Sequence, residues 1–244
     1  MSEFQVNNLC VATEGKTVVD GASFAIKAGE IHVLMGPNGS GKSSLLNAIM
    51  GHPKYKITAG SVLLDAEDIT QLPTEKKAQA GIFLSLQHLP EIAGVTLTNF
   101  LHKAYVAQKG AGMTPLDFYK LMDARAKEFG IDANFLKKHV NAGLSGGEKK
   151  QSEVLQLLAL EPKFALLDEI DSGVDVDAQK RVFVVIEYLR AKGVGFLLVS
   201  HHPNLLQHIT PDRVHVMKDG KLVLSGDNTL AAEIAAKGFD TLAS

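Results

Sequence analysis

Apolar residues along the first third of the chain fall in short blocks rather than at helical spacing. Phe4 to Ala12 and Thr17 to Ile26 are rich in β-formers and are bounded by Glu14-Gly15 and Ala28-Gly29, so both are predicted strands. Glu30 to Met35 is a buried-strand candidate that runs into a glycine-rich loop. From Ser43 to Met50 the pattern turns helical and stops at Gly51, with Pro53 just beyond. Ser61 to Leu64 and Gly81 to Ser85 read as further short strands.

The middle changes character. Thr96 to Gln108 and Pro115 to Phe129 carry apolar residues at helical spacing, with Leu116, Tyr119 and Met122 expected on one face. Lys109, Gly110, Ala111 and Gly112 divide the two, and a third helix is expected to run to Leu160 and stop at Pro162. Beyond it come a strand at Phe164 to Leu167, a helix at Val176 to Lys192 and a strand at Val194 to Val199. Arg213 to Leu224 predicts a hairpin turning at Asp219-Gly220, and residues 229–237 a short closing helix. Strands alternating with helices imply a mostly parallel core sheet, hence an α/β fold with a mainly helical insert at about residues 96–160.

Composition narrows the partners more than the fold. The chain has 244 residues, 45% hydrophobic and 21% charged, as in ordinary soluble globular proteins. Lys and Arg number 25 against 27 Asp and Glu, a net charge of −2 that argues against a nucleic-acid binder relying on a basic surface. The single cysteine, Cys10, excludes an internal disulfide and a thiolate-rich zinc site. Lying in a predicted strand, it is expected to be a small core residue. No apolar run approaches the ~20 residues of a membrane span, and Glu3 stands where a signal peptide would carry positive charge. The expectation is a cytoplasmic protein with no membrane insertion.

Chemistry enters at the glycine-rich loop. Gly36, Pro37, Asn38, Gly39, Ser40, Gly41, Lys42 and Ser43 match G-x-x-x-x-G-K-[ST] between a predicted strand and a predicted helix. Backbone N–H groups of such a loop surround phosphate oxygens, and the helix adds its positive end. Lys42 is then expected at the β- and γ-phosphates of ATP and Ser43 on Mg2+. Asp168 and Glu169 end the apolar stretch Phe164 to Leu167. Alone they fit an exposed acidic turn; beside a phosphate loop they fit a metal-holding Asp168 and a Glu169 that polarises water.

Leu144, Ser145, Gly146, Gly147 and Glu148 precede the third helix. Ser145 and Glu148 make an S-x-x-E capping box, a purely structural device. Two glycines in a first turn nevertheless cost about 1 kcal/mol each in helix propensity, which fits a helix end that must approach a phosphate. About twenty residues before Asp168, this run resembles the signature loop of ATP-binding-cassette (ABC) ATPases. The resemblance implies a RecA-like P-loop core with an antiparallel β lobe, formed by residues 1–95 and 161–244, and a helical subdomain at 96–160 within one ATPase domain. It also implies that Gln87 touches the metal and the attacking water, that Asp175 in Ser172 to Asp175 couples sites, and that His201 reaches the γ-phosphate. Each motif occurs once, so Ser145, Gly146, Gly147 and Glu148 would act on ATP held by a second copy. One departure stands out: between Phe4 and Phe24 there is no aromatic residue to stack on adenine.

Finer features resemble the SufC family, ATPases of iron–sulfur cluster assembly. These are Gly51 to Gly60, Glu91 to Val95, Ser145 to Lys150, and Leu167 to Asp177, where Ile170, Asp171 and Gly173 replace the Pro-Thr-Ser-Ala pattern of transporter cassettes. The resemblance implies SufB- and SufD-like scaffold proteins as partners; the alternative is the ATPase subunit of a membrane ABC transporter. Lys150 lies one turn into the signature helix, where the helix dipole does not favour a cation. Lys149 and Lys150 are expected as solvated surface charges; the other reading, which the resemblance to SufC implies, pairs Lys150 with Glu169 in the free subunit and turns the base away from the γ-phosphate.

Overall fold

The computed structural model describes residues 2–85, 91–169, 176–201, 205–206 and 208–237. The chain begins with β1 (Glu3–Thr13), β2 (Lys16–Lys27) and β3 (Ile31–Met35), followed by α1 (Lys42–Met50), β4 (Lys56–Leu64) and β5 (Glu67–Asp68). Next come α2 (Thr74–Ala80), β6 (Ile82–Ser85) and β7 (Ile92–Thr96), then α3 (Leu97–Lys109) and α4 (Pro115–Glu128). A 3-10 turn (Ala133–Lys137), β8 (His139–Val140) and α5 (Gly146–Leu160) lead to β9 (Phe164–Asp168) and α6 (Val176–Ala191). The chain closes with β10 (Gly195–Ser200), β11 (Arg213–Lys218), β12 (Lys221–Gly226) and α7 (Asn228–Lys237).

Two large sheets organise these elements. One is antiparallel, four-stranded, in the order β2-β1-β4-β5. The other has six strands in the order β12-β11-β3-β10-β9-β6, parallel except for the edge strand β12. Parallel strands buried on both faces read as unbroken apolar runs, which is how Phe164 to Leu167 and Phe196 to Val199 look. Their side chains alternate between two cores. Ala165, Leu167, Phe196 and Leu198 join the cluster shared with α3 to α6, while Phe164, Leu166, Leu197 and Val199 join the one shared with α1 and the antiparallel sheet. This is a RecA-like P-loop ATPase core with an antiparallel β lobe and a helical subdomain.

Several expectations shift. On β1 the inward positions change from Phe4 and Val6 to Leu9 and Val11, because the register slips between Val6 and Leu9. Beside that slip, Gly60 (φ 85) lets β4 run through it, since a Cβ there would collide with the Asn8 carbonyl. The strand therefore begins at Lys56 rather than Ser61. Leu116 is 62% exposed, and the buried stripe of α4 is Phe118, Met122 and Ala126. Pro115 opens that helix and Thr114 caps it, so the first turn points outward. Cys10 is half-buried on β1 beside Asn8 and Asp20, not a core residue. Helix α2 has no apolar stripe; its buried side chain is Lys77, whose Nζ donates to the carbonyls of Ile49 (2.7 Å) and Thr70 (3.1 Å).

Candidate active site

The loop between β3 and α1 is held against two neighbouring turns. A Cβ on Gly36 would strike the Met217 carbonyl, and one on Gly41 would strike that of Val18. Both positions have positive φ, so only glycine fits the conformation and the contact. Gly220 N–H donates to the Ser40 carbonyl at 3.0 Å and Asp20 N–H to the Gly220 carbonyl at 2.8 Å, fastening the loop to the β11–β12 turn and to β2. Helices α3, α4 and α5 carry side-chain caps from Thr96, Thr114 and Ser145. Helix α1 starts at Gly41 with no side-chain cap, so its first N–H groups remain open to an anion.

Lys42 is buried at the centre of the loop, its Nζ donating to the carbonyls of Gly36 (2.8 Å) and Pro37 (2.9 Å). Burial lowers its pKa, against the pull of Asp168 and Glu169. Asp168 ends β9, beside Val199 of β10, which in turn lies beside Leu34 of β3. Burial, reinforced by Glu169, raises the Asp168 pKa, while a hydrogen bond from Ser43 and the charges of Lys42 and Lys150 oppose the rise. Its Oδ1 is fully buried and has no hydrogen-bond partner among the described residues. A buried acceptor left open beside a serine hydroxyl and a phosphate loop fits a hydrated Mg2+ that arrives with ATP.

Glu169 takes a left-handed conformation (φ 50), unusual for a glutamate. Its backbone N–H donates to the Val199 carbonyl at 2.9 Å, and His201 Nδ1 lies 3.0 Å from its Oε1. Glu169, Asn38, Gly39, Gly41, Lys42 and Ser43 line one cavity of about 550 Å3. The same cavity is walled by Thr17, Val18, Asp219 and Gly220, none of which belongs to a recognised motif. Asp219-Gly220 is legible in sequence as a hairpin turn and nothing more. Among the described residues that line the cavity, none is aromatic.

Ser145 to Glu148 stand apart from this cavity, at the start of α5. The capping box is complete: Glu148 N–H donates to Ser145 Oγ, and Ser145 N–H to Glu148 Oε2 at 2.8 Å. Lys138 pairs with Glu148 at 2.7 Å and, with Ser145, holds its pKa down at about 2. Gln87 and Asp175 lie outside the described residues. Lys150 is neither a solvated surface charge nor the partner of Glu169. Lys150 Nζ sits 2.9 Å from Glu153 Oε2, three residues along its own helix, because that carboxylate is 1% exposed and requires a counter-charge. His201 engages Glu169 instead.

A phosphate loop feeding an uncapped helix, with a buried carboxylate and a histidine-bound glutamate two strands away, defines a P-loop ATP hydrolase. The sequence profile described as ABC transporter matches residues 19–172, more than half of the chain. Vegetative protein 296 of Bacillus subtilis is 45% identical over 241 residues, covering 98% of this chain and 92% of that protein. A probable ABC transporter ATP-binding protein of Streptococcus pyogenes is 44% identical over 245 residues, covering 100% and 96%. A dimeric ATP-binding cassette bound to ADP and Pi superposes with a TM-score of 0.80 at 22% identity, over 92% of this chain and 98% of that one. The chain belongs to the ABC transporter family of ATP-binding proteins and is an ABC-type ATP hydrolase.

Proposed function

We propose that this chain is the ATP-hydrolysing half of a two-cassette assembly, in which two copies close on ATP and each lends its signature loop to the other's nucleotide. The observation that carries the reading is the convergence of Lys42, Ser43 and Glu169 on one cavity, with His201 holding Glu169. Residues 36–41 cradle the phosphates, and Lys42 exchanges the Gly36 and Pro37 carbonyls for phosphate oxygens. Ser43, Asp168 and Gln87 would hold the Mg2+ that arrives with ATP, which would supply compensation for charge on the phosphates. Glu169 takes a proton from water as its oxygen bonds to the γ-phosphorus, the bond to the β-phosphate oxygen breaks and ADP leaves. His201 orients Glu169 and donates toward the γ-phosphate.

The signature loop is built for a ligand from outside the chain. A Cβ on Gly147 would meet nothing within 4 Å, so internal packing does not demand glycine there. Two glycines in a capped first turn instead leave room for a phosphate of the second copy, with Ser145 and Glu148 fixing the turn. Asp175 links the two composite sites. That a similar fold has been captured as a dimer with ADP and Pi supports the arrangement.

Two partners fit such a motor in the cytoplasm. The streptococcal relatives, probable ABC transporter ATP-binding proteins by name, support a membrane transporter more directly than any other partner. The likeness of Ser145 to Lys150 and of Leu167 to Asp177 to the SufC family supports a SufB/SufD-type scaffold in iron–sulfur cluster assembly. Co-purification of the tagged chain from its native cell, with mass-spectrometric identification of what comes with it, decides between them. A permease selects the first reading, SufB- and SufD-like proteins the second.

A further inference from the structure

Helix α5 holds a buried carboxylate that the hydrolytic chemistry does not use. Glu153 is 1% exposed and accepts a hydrogen bond from Ser85 Oγ at 2.5 Å, while Lys150 Nζ lies 2.9 Å from its other oxygen. Ser85 ends β6, also buried, and sits beside Leu167, the residue before Asp168. In sequence it is two residues before Gln87. On the far side of residues 86–90, Glu91 pairs with Lys149 of the same helix at 3.2 Å. Lys149 and Glu153 are one turn apart. One face of α5 thus grips the chain immediately before and immediately after the segment that contains Gln87.

Packing alone does not call for this arrangement. The neighbouring positions Val154, Leu155, Leu157 and Leu158 fill the core, and an apolar residue at 153 would do so too. A buried ion pair seldom stabilises more than an apolar pair of similar volume, so its value lies in what it positions. The N-terminus of α5 carries Ser145 to Gly147, about 12 Å along the helix from Glu153. Lys150 in addition reaches Asp168 electrostatically.

We propose that Glu153, through Ser85, is a positioning residue that ties the signature helix to the strand entering its own subunit's nucleotide site. Loading of one site then sets the placement of the signature loop offered to the other. The proposal rests on the reading that the signature loop acts across the dimer.

The test uses the full chain with Ser85→Ala, Glu153→Gln, the combination of both, and the apolar pair Lys150→Met with Glu153→Leu. For each, three quantities are measured: binding of a fluorescent ATP analogue, thermal midpoint, and ATP turnover against ATP concentration. Analogue affinity should stay within about twofold of wild type. Turnover at saturation should fall at least tenfold, with loss of any cooperativity in ATP. Ser85→Ala with Glu153→Gln should cost no more than the worse single change, because both break one link. The apolar pair should recover the thermal midpoint without recovering turnover. Recovery of turnover by the apolar pair, multiplication of the two single effects, or wild-type turnover by Glu153→Gln would each overturn the proposal. Normal turnover by Ser145→Arg would remove the trans reading beneath it, and the proposal with it.

Discussion

Glu169 and His201 face each other at 3.0 Å, carboxylate to imidazole, and Glu169 lines the same cavity as Lys42. The pair comes from the ends of adjacent parallel strands, β9 and β10, so the sheet itself sets their separation. With its backbone in the left-handed region, Glu169 is held in a conformation that costs about 1 kcal/mol or more. Such strain is retained where a side chain must point one way.

Glu169→Gln keeps size and polarity but cannot accept the proton. Phosphate release should fall 10²–10⁴-fold, the usual worth of a positioned base, while ATP binding persists and an ATP-bound dimer accumulates on size exclusion. Wild-type phosphate release by this variant would refute the assignment of the base. His201→Ala should lower kcat far more than it raises KM, since it removes the partner of the base.

Lys42→Ala should abolish both ATP binding and hydrolysis, because the lost ammonium is the charge that replaces solvent around the phosphates. Its hydrogen-bond partners among the described residues are the two loop carbonyls of Gly36 and Pro37, so the thermal midpoint should move by only a few degrees. Nucleotide titration and a melting curve on one sample separate the two effects; retained ATP affinity would sink the assignment.

Trans action is tested by mixing. Lys42→Ala and Ser145→Arg should each be inactive alone, yet a mixture contains dimers with one intact composite site. Partial recovery of turnover at intermediate ratios is the expected result. A fully active Ser145→Arg chain would show that the signature loop never contacts nucleotide.

A pH effect is expected from a pair of histidines that do not line the nucleotide cavity. His32 and His215 are buried side by side, Nδ1 to Nε2 at 3.1 Å, with Glu30 and Ser225 at the two ends. Burial, then the charges of His32 and Arg213, hold the His215 pKa down at about 4. Between an ordinary 6.5 and that value the unfolded chain binds a proton that the folded chain does not. Stability is therefore intact above pH 6.5 and falls as pH drops toward 4, by about 1.4 kcal/mol per unit from His215 alone. The thermal midpoint of His215→Phe should fall less steeply across this window, whatever its value at pH 7; an equal slope would exclude His215 as the cause.

Most of the architecture was legible in the chain because the relevant signals are local. Apolar runs at 164–167 and 196–199, a helix stopped by Gly51 and a hairpin at Asp219-Gly220 all depend on near neighbours in sequence. The phosphate loop, the Asp168-Glu169 pair and the Ser145–Glu148 cap are legible for the same reason: their chemistry is written within eight residues. Helix α2 escaped because what it buries is a lysine, whose partners are carbonyls 7 and 28 residues away. The outward turn of Leu116 escaped because helical spacing defines a face but not its limits.

What the tertiary structure alone decided concerns contacts between distant segments. The resemblance to the cassette fold offered Glu169 as a partner for Lys150, but side chains pair with the nearest charge that needs them. Burial made that Glu153 for Lys150 and left His201 for Glu169. Likewise nothing in the local pattern of Thr17-Val18 or Asp219-Gly220 marks a wall of the cavity beside the phosphate loop. They become one because the β lobe and the β11–β12 turn both dock on the phosphate loop through Gly41, Ser40 and Gly220. Local sequence marked which groups the proposed chemistry calls on. Which of them meet was settled by burial, since an unpaired charge in the interior is too costly to leave alone.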